Sequence, residues 1–318
     1  MKKKEKKIAF VFPGQGSQKV GMGEDLFKSH KIAREVFELI DEVLHRNLSK
    51  LIFSGNQQEL TKTFNAQPAL FAVSMALVRI IEYETKEKFF NIASIVCGHS
   101  LGEYSALCSI DTMSVEDGAR LLEIRGNAMQ SSVKNLETKM SAILKINISE
   151  VEKILDEHND GMVCDIANDN CPGQIVISGE KEKVEFIANK CREVGAKVLD
   201  LNVSAPFHCS LMHSASMIMN KELENIKFFD IKTKFINNVE ASFSEEKEKI
   251  KNLLVKQVTN RVRWRETIEL ISKNGIHNIV EVGSGKVLSG LNKRMNLSIE
   301  SENIEKLEDI DSFLTKYF

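Results

Sequence analysis

Ile95-Val-Cys-Gly-His-Ser-Leu-Gly-Glu-Tyr-Ser-Ala-Leu107 is the stretch from which the fold can be read. The apolar run Ile92 to Cys97 has the length and composition of a buried strand. It breaks at Gly98-His99-Ser100-Leu101-Gly102, after which Glu103, Ala106 and Leu107 favour helix. A strand, a tight Gly-x-Ser-x-Gly turn and a helix make a nucleophile elbow. The glycines let the backbone turn where a side chain would clash, so the serine hydroxyl stands exposed at the sheet edge. The helix then aims free N–H groups and its positive dipole end at that oxygen. The bare pattern is common. A working site also needs a base, an oxyanion pocket and a substrate clamp.

Working outward, Ile8 to Phe12 is a second buried-type strand, and Pro13-Gly-Gln-Gly-Ser-Gln18 follows it as a loop. The loop lacks the Gly-Lys-Ser/Thr ending of a phosphate-binding loop, which excludes nucleotide binding of that kind. Its glycines suit either close approach of backbone amides to a ligand or an ordinary βα turn. Residues 24–53 read as helical. Pro68 suits the first turn of an apolar helix from Ala69 to Tyr83. Ser114-Val-Glu-Asp117 opens a further helix to about Met129, which carries Arg120 and Arg125.

From about Lys139 the texture changes. Met140–Ile146, Met162–Ala167, Gln174–Ser178 and Lys197–Leu201 read as strands, with helices over Ser149–His158 and Lys181–Val194. The order β-α-β-β-α-β is the ferredoxin-like pattern. It predicts an α/β protein with a catalytic core of residues 1–133 and 205–318 and an inserted subdomain of 134–204. After Val203-Ser-Ala-Pro-Phe-His208 the α/β character returns: a helix from about Ser210, a strand over Phe235–Val239, helices over Glu245–Val258 and Arg265–Lys273, then a strand over Asn278–Val282.

Composition narrows the classes. The 318 residues carry a formal net charge of -2 and are 42% hydrophobic, enough for a large core. That balance gives no signature of nucleic-acid or membrane binding. The basic opening Lys2 to Lys7 reads as a solubilising tail, because the apolar run behind it is too short for a signal peptide. No apolar stretch reads as long enough to span a bilayer. The six cysteines form no Cys-x-x-Cys pair, which points to reduced buried thiols in the cytoplasm rather than disulfides or zinc.

An activated serine needs a base, usually histidine. His30, His45 and His158 sit in charged helical surroundings, His99 points away if Ser100 points out, and His277 begins a strand. His208 and His213 remain, with His208 favoured by its loop position between strand and helix. A Cys209–His208 pair is a weaker alternative, since sequence neighbours rarely face each other. Asp165, Asp169 and Asp200 lie between Ser100 and His208, but within the inserted subdomain. A Ser-His dyad oriented by a carbonyl is therefore expected rather than a full triad.

These residues resemble a known family, the malonyl-CoA:acyl carrier protein transacylases. The resemblance rests on Phe10-Val-Phe-Pro-Gly-Gln-Gly-Ser-Gln18, Gly98 to Leu107, Arg125-Gly126, Pro172 to Gly179, Pro206-Phe-His-Cys-Ser-Leu-Met212 and Glu281 to Leu288, which occur in family order. It implies an α/β-hydrolase-like core with a ferredoxin-like insertion. It also implies that Ser100 carries the acyl group, that His208 is the base and that the Gln257 carbonyl orients it. The amides of Gln15 and Leu101 would form the oxyanion hole, and Arg125 would grip the malonyl carboxylate. The implied substrates are malonyl-CoA and the carrier's phosphopantetheine thiol, with no metal or cofactor, and a cytoplasmic monomer is expected. Lys139, Asp111, Arg261 and Ser284 depart from the family pattern, and Arg261 puts the loop near Gln257 in doubt. The last two dozen residues carry no motif. A patatin-like lipase, a serine hydrolase of acyl thioesters, an acyltransferase serving polyketide synthesis and a non-catalytic carrier-binding subunit are the alternatives. The first lacks its Asp-Gly-Gly/Ala segment here, and the last would have no need to keep Ser100, His208 and Arg125 together.

Overall fold

The computed structural model describes residues 7–133 and 136–318. The basic run Lys2–Lys6 and the expected subdomain boundary at Lys134 lie outside these residues. The strands are β1 Ile8–Phe12, β2 Ile95–Gly98, β3 Thr138–Leu144, β4 Cys164–Cys171, β5 Gln174–Glu180, β6 Lys197–Asp200, β7 Lys234–Ile236, β8 Phe243–Ser244, β9 Asn278–Val282 and β10 Glu300–Ile304.

Six of them form one sheet in the order β10-β9-β1-β2-β7-β8. Its first five strands run parallel, and β8 closes the edge antiparallel to β7. Every residue of β1 and β2 is buried, as expected of parallel strands covered on both faces. Phe12 pairs with Gly98, so the loops after β1 and β2 leave the same sheet end side by side. Ligand sites of open α/β sheets lie at such carboxyl ends.

The other four strands form an antiparallel sheet in the order β4-β5-β3-β6, with helices Ile148–Glu157 and Lys181–Glu193 between them. This unit has its own apolar cluster, including Ile143, Val151, Ile177, Val184 and Ile187. It is stitched to the larger sheet's side through the 262 segment. Val262 N–H donates to the Ala167 carbonyl (2.8 Å), and the Asp169 N–H donates to the Val262 carbonyl (2.9 Å). The ion pair of Arg265 with Asp169 (2.8 Å) adds to that seam.

Four expectations need correction. Residues 24–53 are three helices, Glu24–Ser29, Lys31–Val43 and Leu48–Ser54, because His30 is extended and His45 takes a φ of 51°. The apolar helix runs from Thr63 to Thr85, with Pro68 inside it rather than in its first turn. A helical proline leaves the carbonyl four residues earlier without a partner. Here Arg46 Nη2 donates to that carbonyl, of Phe64, at 3.3 Å. By length and apolarity this 23-residue helix could cross a membrane, contrary to the expectation, but 89% of its apolar window is buried in the core. The strand expected over Phe235–Val239 ends at Ile236. Asn237 and Asn238 instead turn their amides to Ser244, Ser242 and the elbow. The motif-free C-terminus forms β10 and the helix Leu307–Tyr317, which extend the large sheet and its cover.

Candidate active site

The elbow stands where the sequence places it, although its strand is Ile95–Gly98 rather than Ile92–Cys97, because Ile92 ends the short helix Phe89–Ile92. Gly98 ends β2 and Gly102 opens the helix Gly102–Ser109. A Cβ on Gly98 would meet the Gly102 carbonyl oxygen at 2.1 Å, and one on Gly102 would meet the Phe12 carbonyl oxygen at 2.2 Å. Only hydrogen at both positions lets β1, the turn and the helix pack this closely. Ser100 between them takes a φ of 53°, a left-handed conformation that a serine adopts only when its surroundings impose it. They do so from three sides. Ser100 N–H donates to Asn238 Oδ1 (2.7 Å), Asn238 Nδ2 donates to the Gly98 carbonyl (2.7 Å), and Gln257 Nε2 donates to the Ser100 carbonyl (2.9 Å).

Ser100 Oγ stands 2.8 Å from His208 Nε2, and His208 Nδ1 stands 2.8 Å from the Gln257 carbonyl. A carbonyl only accepts, so the proton sits on Nδ1 and Nε2 is free to take one. Burial first, and then the Arg125 charge, lower the His208 imidazole to about 3. It is therefore neutral at physiological pH. None of the three aspartates reaches it. Asp165 accepts from Ser210, Asp169 pairs with Arg265, and Asp200 pairs with Lys139. Cys209 is buried and donates to the Pro206 carbonyl, so it forms no pair with the neighbouring His208. His99 bonds Asn170 at 2.9 Å, away from Ser100.

Arg125 is 1% exposed. Its Nη1 donates to Gln67 Oε1 (2.7 Å), and its Nη2 donates to Gln257 Oε1 (2.8 Å) and Ser100 Oγ (3.1 Å). Gly126 makes this reach possible. A Cβ there would lie 2.5 Å from Phe64 Cα, so glycine lets the helix Val115–Ser131 press against the helix Thr63–Thr85 that carries Gln67. Gln15 and Leu101 share a pocket of about 140 Å³ with Ser100, Arg125 and His208. Among the described residues, neither backbone N–H donates to a protein acceptor. The juxtaposition follows from β1 and β2 being parallel neighbours. A cleft of about 730 Å³, with Asp165, Asn260 and Arg261 in its wall, reaches His208 from the four-stranded unit's side.

All six residues expected at the site therefore gather at one end of the large sheet. Arg120 does not; it is exposed beside Asp117. Sequence reasoning missed Asn238, Gln67 and Glu103. The available signals were a polar pair just after a strand and polar residues set among the buried positions of two helices. The departures lie outside the bonding around Ser100. Arg261 pairs with Glu152 (2.8 Å), Lys139 with Asp200 and Glu185, Asp111 with Arg79, and Ser284 donates to the Ser17 carbonyl. Gln257 keeps its place despite Arg261.

A hydroxyl, a neutral imidazole held by a carbonyl, two backbone amides without a protein acceptor at the pocket and a buried guanidinium can together run acyl transfer with a carboxylated acyl group. Comparison with known proteins agrees with that class. The acyl transferase domain family matches residues 9–298. The malonyl CoA-acyl carrier protein transacylase of Bacillus subtilis is 39% identical over 310 residues, covering 96% of this chain and 95% of that one. Its Escherichia coli counterpart is 39% identical over 289 residues, covering 91% and 92%. The acyl-carrier-protein S-malonyltransferase of Bartonella henselae superposes with a TM-score of 0.95 at 46% identity, covering 98% and 99%. A malonyl-transacylase solved in complex with its type II polyketide synthase carrier protein has a TM-score of 0.93 at 37% identity, covering 98% and 99%. The chain belongs to the acyl transferase domain family and, within it, to the malonyl CoA-acyl carrier protein transacylases.

Proposed function

We propose that this chain transfers the malonyl group of malonyl-CoA to the phosphopantetheine thiol of an acyl carrier protein through a malonyl ester of Ser100, supplying fatty acid synthesis. The observation that carries the reading is Arg125, a buried guanidinium 3.1 Å from Ser100 Oγ. A guanidinium fork grips a carboxylate through two parallel hydrogen bonds, so it selects an acyl group with a free acid at its far end.

His208 Nε2 takes the Ser100 proton as Oγ attacks the thioester carbonyl. The amides of Gln15 and Leu101 stabilise the tetrahedral oxyanion, each donor contributing about 3 kcal/mol. The C–S bond breaks, His208 returns the proton to the CoA sulfur, and malonyl-Ser100 remains. The carrier's thiol then gives its proton to His208 and attacks the ester, and Ser100 recovers its proton. Thioester enters and thioester leaves, so the exchange is nearly isoenergetic and calls for no nucleotide, cofactor or metal. The 140 Å³ pocket suits a short acyl group.

The larger sheet is read as an α/β-hydrolase-like core of residues 1–133 and 205–318, and residues 134–204 as a ferredoxin-like subdomain. The strand order β4-β5-β3-β6 supports the latter. The enzyme is further read as a cytoplasmic monomer whose partners are malonyl-CoA and the carrier, without nucleic acid or membrane. Service to polyketide synthesis is the second reading, favoured by the likeness to a transacylase solved with a polyketide carrier.

Intact-protein mass after brief incubation with malonyl-CoA tests the proposal. A malonyl adduct that Ser100→Ala abolishes and carrier protein discharges supports it. Steady CoA release without adduct points to hydrolysis and overturns it.

A further inference from the structure

We propose that Glu103 is a positioning residue whose carboxyl group holds the Gln257 side chain in one orientation and thereby sets Arg125 against Ser100. The inference rests on the roles of Ser100, His208 and Arg125 given above.

Glu103 lies in the first turn of the elbow helix and is 1% exposed. A carboxylate this deep must be satisfied by hydrogen bonds. Its two oxygens accept from two different segments: Asn238 N–H reaches Oε1 at 2.5 Å, and Gln257 Nε2 reaches Oε2. Burial raises the carboxyl to about 8, while both donors and the Arg125 charge pull it toward the anion. Both oxygens act as acceptors, which either protonation state allows.

The Gln257 amide cannot turn over. Its Oε1 accepts from Arg125 Nη2, and its Nε2 donates to the Ser100 carbonyl and to Glu103. A flipped amide would set NH2 against the guanidinium and oxygen against two acceptors. Gln257 thus touches Arg125 and Ser100 with its side chain and His208 with its own carbonyl. Glu103 is the anchor behind it.

The arrangement also keeps the cation available to an acid. Among the described residues, Arg125 bonds to no carboxylate, only to Gln67, Gln257 and Ser100. A directly paired glutamate would occupy the guanidinium fork and compete with the substrate's acid. One amide between Glu103 and Arg125 keeps the carboxyl off the cation and leaves the serine-facing side of the guanidinium to the substrate.

The test compares kcat/KM for malonyl-CoA and acetyl-CoA in Glu103→Gln, Gln257→Ala and the double variant. Acetyl has no acid for Arg125, so partial misfolding would lower both donors equally. Glu103→Gln is expected to cut the malonyl-over-acetyl preference about tenfold, and the double variant no further than Gln257→Ala alone, as for residues acting through one contact. An unchanged preference, or effects that multiply in the double variant, overturns the proposal. If Glu103→Gln does not fold, Glu103→Asp, whose shorter side chain draws the oxygen back from Gln257 Nε2, takes its place: a reduced malonyl-over-acetyl preference supports the proposal and an unchanged one overturns it. A wild-type enzyme that forms no malonyl adduct would instead sink the underlying assignment.

Discussion

Ser100 Oγ and His208 Nε2 meet at 2.8 Å across 108 residues of chain. The two lie on loops at the same end of one sheet, and both hold left-handed backbone, with φ of 53° and 58°. Such conformations persist only where the surroundings impose them, and here two of them meet at one site. Replacing Ser100 by alanine is expected to abolish the acyl adduct and lower transfer by roughly 10³-fold or more, with CoA binding retained. Adduct mass and single-turnover rates check this.

Arg125→Ala should strike malonyl-CoA selectively. Loss of a buried charge-assisted pair is expected to lower malonyl acylation by roughly 10- to 100-fold, with a far smaller effect on acetyl-CoA. Parallel acylation rates with the two donors read this directly. Equal losses for both would remove Arg125 from carboxylate recognition.

The pH dependence follows from His208. Its folded value, about 3, lies below the ordinary 6.5 of histidine, through burial and the Arg125 charge. The base therefore persists as pH falls through 6.5, so the acetyl-CoA acylation rate should show no histidine limb from pH 8 down to about 5. Arg125→Ala removes the second-largest of the causes that lower it and should move that limb upward. The same shift stabilises the fold fully above 6.5. That contribution is lost as pH falls from 6.5 toward 3, because the unfolded chain takes the proton first. Denaturant midpoints between pH 7 and 4.5 measure it.

Gly98→Ala and Gly102→Ala should each cost about 2 kcal/mol or more, since the added carbon would overlap backbone at 2.0 to 2.2 Å. Backbone there has no flexible end to give way. Gly126→Ala is expected to weaken malonyl selection as well as stability, because it pushes the Arg125 helix off Phe64. Urea midpoints together with donor preference separate the two effects.

Arg261→Ala should change little. Its bond to Glu152 is a partly exposed ion pair, worth up to about 1 kcal/mol. The Gln257 carbonyl that holds His208 does not depend on it. Thermal unfolding and transfer rate near wild-type values are expected, and a collapse of activity would show that this loop does set the base.

Short-range physics made the elbow, the loop after β1 and the β-α-β-β-α-β run legible in the sequence. Apolar runs, glycines at a sharp turn and helix starts act over a few residues and leave their pattern in the chain. The same logic failed where a distant group changed the local rule. Pro68 entered a helix interior because Arg46 takes up the carbonyl it frees, and Asn237–Asn238 left the strand for side-chain bonds. Glu103 and Gln67 read as incidental polar residues. Their meaning lies in partners 154 and 58 residues away.

The sequence by itself determined the nucleophile's turn, the alternation of strand and helix, and the set of residue types an acyl-transfer site needs. The tertiary structure decided which of them meet. Parallel pairing of β1 with β2 brings the Gln15 and Leu101 amides to one sheet end, and the Gly126 contact brings Arg125 beneath Ser100. A single buried amide, Gln257, then joins guanidinium, serine, histidine and carboxylate. Those meetings depend on burial, which makes an unpaired polar group costly and so forces each one to find its partner across the fold.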